Sequence, residues 1–240
     1  MKKQEILKYL KSLPGEQFVS EALRLAAEGE EIPSSMIKRL EEYKRVLGMR
    51  EFDLSKGTLV AGVDEAGRGP LAGPGYTAAV ILPENCVIEG LNDSKKLSEK
   101  KRDELYDAII EKALYYNIVY ADCETIDRIN IRNATLNAMK NAAEGLPVRP
   151  DKLLVDGNAL PETDIPCEYV IKGDSKSMAI AAASILAKVT RDRYIKERDE
   201  IYPEYGFAKN KGYGTADHIQ AIKKHGPCPI HRRTFIKNFM

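Results

Sequence analysis

The run Thr58-Leu59-Val60-Ala61-Gly62-Val63 carries no charge, and it is followed at once by Asp64-Glu65 and by the turn Ala66-Gly67-Arg68-Gly69-Pro70. Lys56-Gly57 bounds it on the other side. A run this short and apolar suits a buried strand whose end meets a site. Two later segments repeat the arrangement. Lys152-Leu153-Leu154-Val155 ends in Asp156-Gly157, and Glu168 to Ile171 ends near Gly173-Asp174. Three separate strands thus deliver carboxylates to one edge, which is where sites form in open sheets. With Glu65 added, four clustered carboxylates repel one another unless cations neutralise them. Oxygen donors without His or Cys favour Mg²⁺ or Mn²⁺ over zinc, and two such ions suit phosphodiester hydrolysis. A single strand-terminal Asp is more often a turn or cap residue; the series of three is what points to metal.

The rest of the chain is organised around that edge. Residues 1–57 read as three amphipathic helices, the last running from Ser34 to Leu47 and ended by Gly48, which makes a small helical extension. Tyr76 to Leu82 and Tyr115 to Ala121 read as further strands, with a helix capped by Ser98 between them. Asn133 to Glu144, Ser177 to about Glu200 and Thr215 to His225 read as helices. Alternating strands and helices predict an α/β fold, a sheet flanked by helices, over residues 58–240.

The length of 240 residues suffices for one large core, and disorder, collagen and disulfide-stapled miniproteins are excluded. Cys86, Cys123, Cys167 and Cys228 show no metal-ligand spacing, so they read as reduced thiols. No apolar run is long enough to span a bilayer, and a cytoplasmic location is expected. The net charge of +1 conceals a middle of −6 over residues 58–187 beside a tail of +6 over residues 188–240. Carboxylates holding cations next to a flank holding phosphates would produce that division in a polyanion-cleaving enzyme, though solvated helices produce it too.

The glycine-rich turn is neither a Walker loop nor a dinucleotide fingerprint, because no Gly-Lys-Ser/Thr and no helix pattern follows. Together with Asn92-Asp93-Ser94-Lys95-Lys96-Leu97, Val155-Asp156-Gly157, Lys172-Gly173-Asp174, the segment Ala182 to Asp192, Lys211-Gly212-Tyr213-Gly214-Thr215 and Pro229-Ile230-His231-Arg232, it resembles the ribonuclease HII family, in family order from about Leu59 to Phe235. The resemblance implies a ribonuclease H-like mixed sheet and endonucleolytic hydrolysis of RNA in RNA/DNA hybrids or at ribonucleotides embedded in duplex DNA, by two metal ions, leaving 3′-OH and 5′-phosphate ends. It assigns Asp64, Glu65, Asp156 and Asp174 to the metal tetrad, and Gly67, Arg68, Gly69 and Tyr213 to sensing the ribose 2′-OH. A Gly-x-Gly turn brings backbone groups close enough to bond a 2′-OH, the one group that distinguishes RNA at a single nucleotide.

Other candidates are read from position. Lys95 lies in a loop within reach of a phosphate. Ser184, Lys188 and Arg191 fall at i, i+4 and i+7 of the long helix, a polar stripe expected to follow the nucleic-acid backbone. His231-Arg232 reads as structural or phosphate-facing rather than catalytic. Tyr76 stands where the family pattern has small branched residues, which questions the packing of the second strand. A monomer is expected, with a sliding clamp as candidate recruiter. The alternatives are a ribonuclease H-like DNA nuclease and a non-catalytic hybrid-binding module.

Overall fold

The computed structural model describes residues 3–238; the outermost two residues of the segments 1–57 and 58–240 lie outside the described residues. Helices α1 (Lys3–Ser12), α2 (Gly15–Ala27) and α3 (Ser34–Leu54) come first. Ile6, Leu10, Phe18, Ala22, Leu25 and Met36 close a small apolar cluster among them. Further along α3, Val46 and Met49 pack into the main core. The sequence predicts a stop at Gly48, yet α3 continues to Leu54, because Tyr43, Val46, Met49, Arg50 and Asp53 form one buried stripe at helical spacing. Burying that stripe outweighs the roughly 1 kcal/mol cost of a helical glycine. Gly48 is exposed, and a Cβ added there meets nothing within 4 Å. Gly48→Ala is therefore expected to add about 0.5–1 kcal/mol, read as a rise of roughly 1–4 °C in Tm. A fall in Tm would contradict a continuous helix.

Strands β1 (Val60–Ala66), β2 (Gly75–Ile81), β3 (Tyr115–Ala121), β4 (Lys152–Asp156) and β5 (Cys167–Val170) form a mixed sheet in the order β3-β2-β1-β4-β5. β1 runs antiparallel to β2 and parallel to β4, which in turn runs parallel to β5. The acidic pair is part of β1 rather than beyond it, with Asp64 opposite Ala78 and Glu65 opposite Thr77. Half-buried Tyr76 finds partners in Tyr120 and Tyr194, with ring centroids 5.7 and 6.1 Å away.

Helix α6 (Met178–Ile201), with α3 and α4 (Glu99–Lys112), covers one face of the sheet, and α5 (Cys123–Glu144) covers the other. Ala179, Ala181, Ala182 and Ala183 of α6 are fully buried. A Cβ on Gly62 would stand 2.1 Å from the Ala179 carbonyl carbon, so only glycine lets β1 and α6 approach this closely. Helix α5 starts ten residues before the expected Asn133 and breaks at Asn130 (φ 64°), whose side chain accepts the Asn133 N–H and so caps the second half. Helices α7 (Phe207–Asn210), α8 (Ala216–His225) and α9 (Arg233–Ile236) surround a cluster of Leu71, Ile195, Tyr205, Phe207, Ile222 and Ile236. No helix among the described residues is long and apolar enough to cross a membrane.

Candidate active site

Strand register assembles the carboxylates. Val63 pairs with Val155, so Asp64 and Asp156 stand level on adjacent parallel strands. Side chains alternate along a strand, and since Gly62 meets α6, Asp64 points toward α6 as well. There Ser184 stands near enough to oppose the rise of its carboxyl, while its Oδ1 accepts the Glu65 N–H at 2.7 Å. Asp156 ends β4, and its Oδ1 accepts the Gly173 N–H at 2.6 Å. That contact draws in the turn Gly173–Ser175, which follows β5 and carries Asp174.

Electrostatics follow from this crowding. Asp64 is only 6% exposed, and burial, reinforced by Glu65 and Asp156, holds its carboxyl well above the usual range. Burial also raises Glu65, with Arg68 opposing and Asp156 adding to the effect. Asp174 is raised by burial, then by the neighbouring charges of Asp93 and Asp156, with Lys95 opposing. Like-charge coupling thus runs pairwise along Glu65, Asp64, Asp156, Asp174 and Asp93. Among the described residues no group of three His, Cys, Asp or Glu side chains stands arranged around one ion. The donors are all oxygen and mutually repelling, a set that fits hard divalent cations.

The glycine turn is held from beneath by two buried arginines. Arg232, fully buried, donates Nε to Gly73 O at 2.9 Å, Nη1 to Arg68 O at 3.0 Å, and Nη2 to Gly67 O at 2.6 Å and Gly73 O at 2.7 Å. Arg191 donates to Pro74 O, Lys211 O and Ala72 O at 3.0–3.3 Å. Burial and the Arg191 charge push the Arg232 guanidinium down to about 10. Five carbonyls between Gly67 and Pro74 thus point inward, while Arg68 and Gly69 stay exposed on the outer side. Gly67 has φ +97°, and a Cβ there would stand 2.3 Å from Arg191 Nε, so both conformation and space demand glycine. Gly212 O accepts from Leu71 N at 2.8 Å and Ala72 N at 3.3 Å, which joins the Tyr213 segment to the turn. Tyr213 is 45% exposed beside Gly69, where an added Cβ would be 3.7 Å from its ring.

The remaining candidates divide. Lys95 is exposed, and its charge lowers both Glu65 and Asp174, which places it over the carboxylates. Ser184 is buried and bonded to Ser94 Oγ at 3.0 Å, which docks the Asn92–Leu97 loop on α6. Lys188 pairs with Asp192 at 2.7 Å. Arg191 departs from the expected stripe: 1% exposed, it turns inward because the turn and Lys211 supply carbonyls there. Asp93, absent from the predicted set, joins the site through Asp174. A cleft of about 310 Å³ beside Glu65, Arg68 and Asp156 is also lined by Arg132, Thr135 and Asn158 of the α5 side and the β4 end. Arg68 pairs with Glu65 at 3.5 Å and stays 55% exposed.

A family model described as Ribonuclease HII matches residues 61–238. The chain is 58% identical over 182 residues to the ribonuclease HII of Acetivibrio thermocellus, which covers 76% of this chain and 71% of that one. It is 48% identical over 238 residues to that of Ruminiclostridium cellulolyticum, covering 99% and 92%. Among solved structures, the ribonuclease H2 of Pyrococcus horikoshii OT3 superposes with a TM-score of 0.65 at 29% identity, over 75% of this chain and 96% of that one. The ribonuclease HII of Archaeoglobus fulgidus, solved as a complex with PCNA, superposes at 0.58 and 26% identity, with the same coverage of 75% and 96%. The matched span contains the mixed sheet, the line of carboxylates, the arginine-held turn and Tyr213 together, and on that evidence the chain belongs to the ribonuclease HII family of endoribonucleases, which act on RNA/DNA hybrids.

Proposed function

We propose that the protein cleaves on the 5′ side of a ribonucleotide, both in RNA/DNA hybrids and where single ribonucleotides are embedded in duplex DNA, and leaves 3′-OH and 5′-phosphate ends. Asp64, Glu65, Asp156 and Asp174 are the residues to hold two ions, Mg²⁺ or Mn²⁺; the all-oxygen donor set and the raised carboxyls of Asp64, Glu65 and Asp174 support that choice. Bound there, such ions supply Lewis-acid stabilisation of the phosphodiester's developing charge and a nucleophile at neutral pH. Outward-facing backbone of Gly67 and Gly69, with Arg68, meets the ribose 2′-OH, and the Tyr213 ring packs under the adjoining sugar. Lys95 neutralises a phosphate near the carboxylates. Ser184 orients Asp64, and Lys188 lies one turn further along α6 toward the flanking backbone.

The observation that carries this reading is the stitching of Tyr213 to the glycine turn through Gly212 O, beside the carboxylate line. Substrate sensing and chemistry then share one rigid surface. Four free cysteines agree with a cytoplasmic location. A monomer suffices for the site, since all its residues come from one chain. Recruitment by a sliding clamp is proposed on likeness to the Archaeoglobus fulgidus protein, which was solved with PCNA.

The test is incision of a labelled duplex with one embedded ribonucleotide under Mg²⁺ or Mn²⁺, with end-group mapping. A single cut 5′ of the ribonucleotide with a 3′-OH is expected. Equal cutting of an all-DNA duplex would favour a general nuclease, and tight hybrid binding without turnover in either metal would favour a non-catalytic module.

A further inference from the structure

Two buried histidines link the segments that carry Tyr213 and the glycine turn. His218 of α8 is 0% exposed and His231 is 1% exposed. His218 Nδ1 lies 2.8 Å from the Tyr213 carbonyl oxygen, and the two Nε2 atoms are 3.0 Å apart. His231 Nδ1 lies 3.0 Å from the Cys228 backbone nitrogen and 3.1 Å from its Sγ.

Elementary bookkeeping of donors fixes the protons. A carbonyl only accepts, so His218 Nδ1 carries hydrogen, and its Nε2 in the neutral ring accepts. His231 Nε2 must then donate, which leaves its Nδ1 to accept. Starting from the other end gives the same result, because the Cys228 N–H can only donate. The chain is therefore complete with both rings neutral: Cys228 N–H to His231, His231 to His218, His218 to the Tyr213 carbonyl. Burial holds both rings below the usual imidazole value, His231 at about 4. The groups facing the pair agree. Tyr205 spends its hydroxyl on Gly226 O at 2.7 Å, Arg233 opposes protonation of His231, and Phe207 and Tyr205 pack against the rings.

The two rings are attached to opposite halves of the sensing surface. His231 bridges Ala72 in the turn, and its neighbours pair with it through Gly73 N to Ile230 O and Arg232 N to Leu71 O. His218 anchors Tyr213, whose carbonyl also accepts the Thr215 N–H at 2.8 Å. The Tyr213 ring, nearly half exposed, meets Gly69 and lies 5.9 Å from the Arg191 guanidinium, so its direction depends on its backbone.

We propose that His218 and His231 are positioning residues for Tyr213: their fixed hydrogen-bond chain locks the tyrosine's backbone in register with Gly67–Gly69 and thereby sets its grip on the sugar at the cleaved bond. The proposal rests on the reading of Tyr213 given above. A displacement on the order of 1 Å can cost about 100-fold in rate. Accordingly His218→Phe, which fills the site without either hydrogen bond, lowers kcat for the single-ribonucleotide duplex by about 10- to 100-fold with KM changed less than about threefold. His218→Asn, whose amide can donate where Nδ1 does, recovers kcat to within about threefold of wild type. In a Tyr213→Ala background, His218→Phe causes no further loss, because the histidine acts through the tyrosine.

An unchanged kcat in His218→Phe while Tyr213→Ala is impaired would overturn the positioning role alone. Multiplying losses in the double variant would overturn it too. An unchanged kcat in Tyr213→Ala would remove the sugar-sensing reading and the proposal with it. Imidazole ¹⁵N spectra of the wild-type protein give a test that needs no variant: His218 protonated on Nδ1 and His231 on Nε2 are expected, and the opposite tautomers would refute the chain.

Discussion

Asp64→Asn is expected to reduce turnover at an embedded ribonucleotide by about 1,000-fold or more, equivalent to roughly 4 kcal/mol of transition-state stabilisation, while the protein stays folded. The substitution keeps shape: an Asn Oδ1 can still accept the Glu65 N–H. What it removes is the charge that a cation would meet between β1 and β4. Asp64 is also the most deeply buried member of the line, so no water-exposed carboxylate can substitute from its position. Turnover within tenfold of wild type would sink the assignment.

Stability separates this loss from simple damage. Burial, Glu65 and Asp156 raise the folded-state value of Asp64 above its unfolded value near 4. The folded protein therefore binds the proton more tightly, and the associated stability is present at low pH and lost as pH rises through the raised folded value. Metal-free wild-type protein should lose stability through this group between about pH 4 and that raised value, and Asp64→Asn should be at least as stable as wild type at neutral pH. Added Mg²⁺ reverses the order, since a ligand at 100 times its Kd adds about 2.7 kcal/mol to the form that binds it. Thermal melts of both proteins with EDTA and with Mg²⁺ measure the crossing. A variant that melts far below wild type in EDTA would mean the carboxylate is structural.

Legibility in the sequence depended on how local each cause was. The apolar run ending in Asp64-Glu65 announced a buried strand with an acidic end, and Asp156 and Asp174 followed by the same pattern. The boundary was less legible: Asp64 and Glu65 keep their ladder partners Ala78 and Thr77, so the strand continues through the charges. Helix α3 outran Gly48 because tertiary burial of Arg50 and Asp53 extends its stripe. The first turns of α5 bury Ile126 alone before the break at Asn130, too little to give a periodic signal. Asp93 follows no apolar strand, and its role depends on Asp174 folding back toward it. Helical spacing places Ser184, Lys188 and Arg191 on one side of the helix, but spacing says nothing of what covers that side. The glycine turn covers its far end, and there Arg191 becomes a clamp.

That clamp underlies the second large effect. Arg232→Lys is expected to destabilise the protein by about 3–5 kcal/mol, lowering Tm by roughly 6–20 °C, despite conserving charge. The guanidinium reaches Gly67 O, Arg68 O and Gly73 O with four hydrogen bonds from a rigid fork, and Phe235 lies 5.1 Å from its centre. An ammonium offers three donors from one point on a shorter reach and cannot span carbonyls that far apart in the chain. Each buried carbonyl left without a partner costs about 1–3 kcal/mol, and the lysine charge remains buried. The damage is local before it is global: the carbonyls of residues 67–73 would turn to seek water, and the outward backbone needed for the ribose would turn with them. Faster hydrogen exchange confined to residues 67–73 and to the Gly212–Tyr213 segment is therefore expected below the melting range, together with reduced incision. A Tm within about 2 °C of wild type, or exchange spread evenly over the sheet, would show that the turn holds its shape without the arginine.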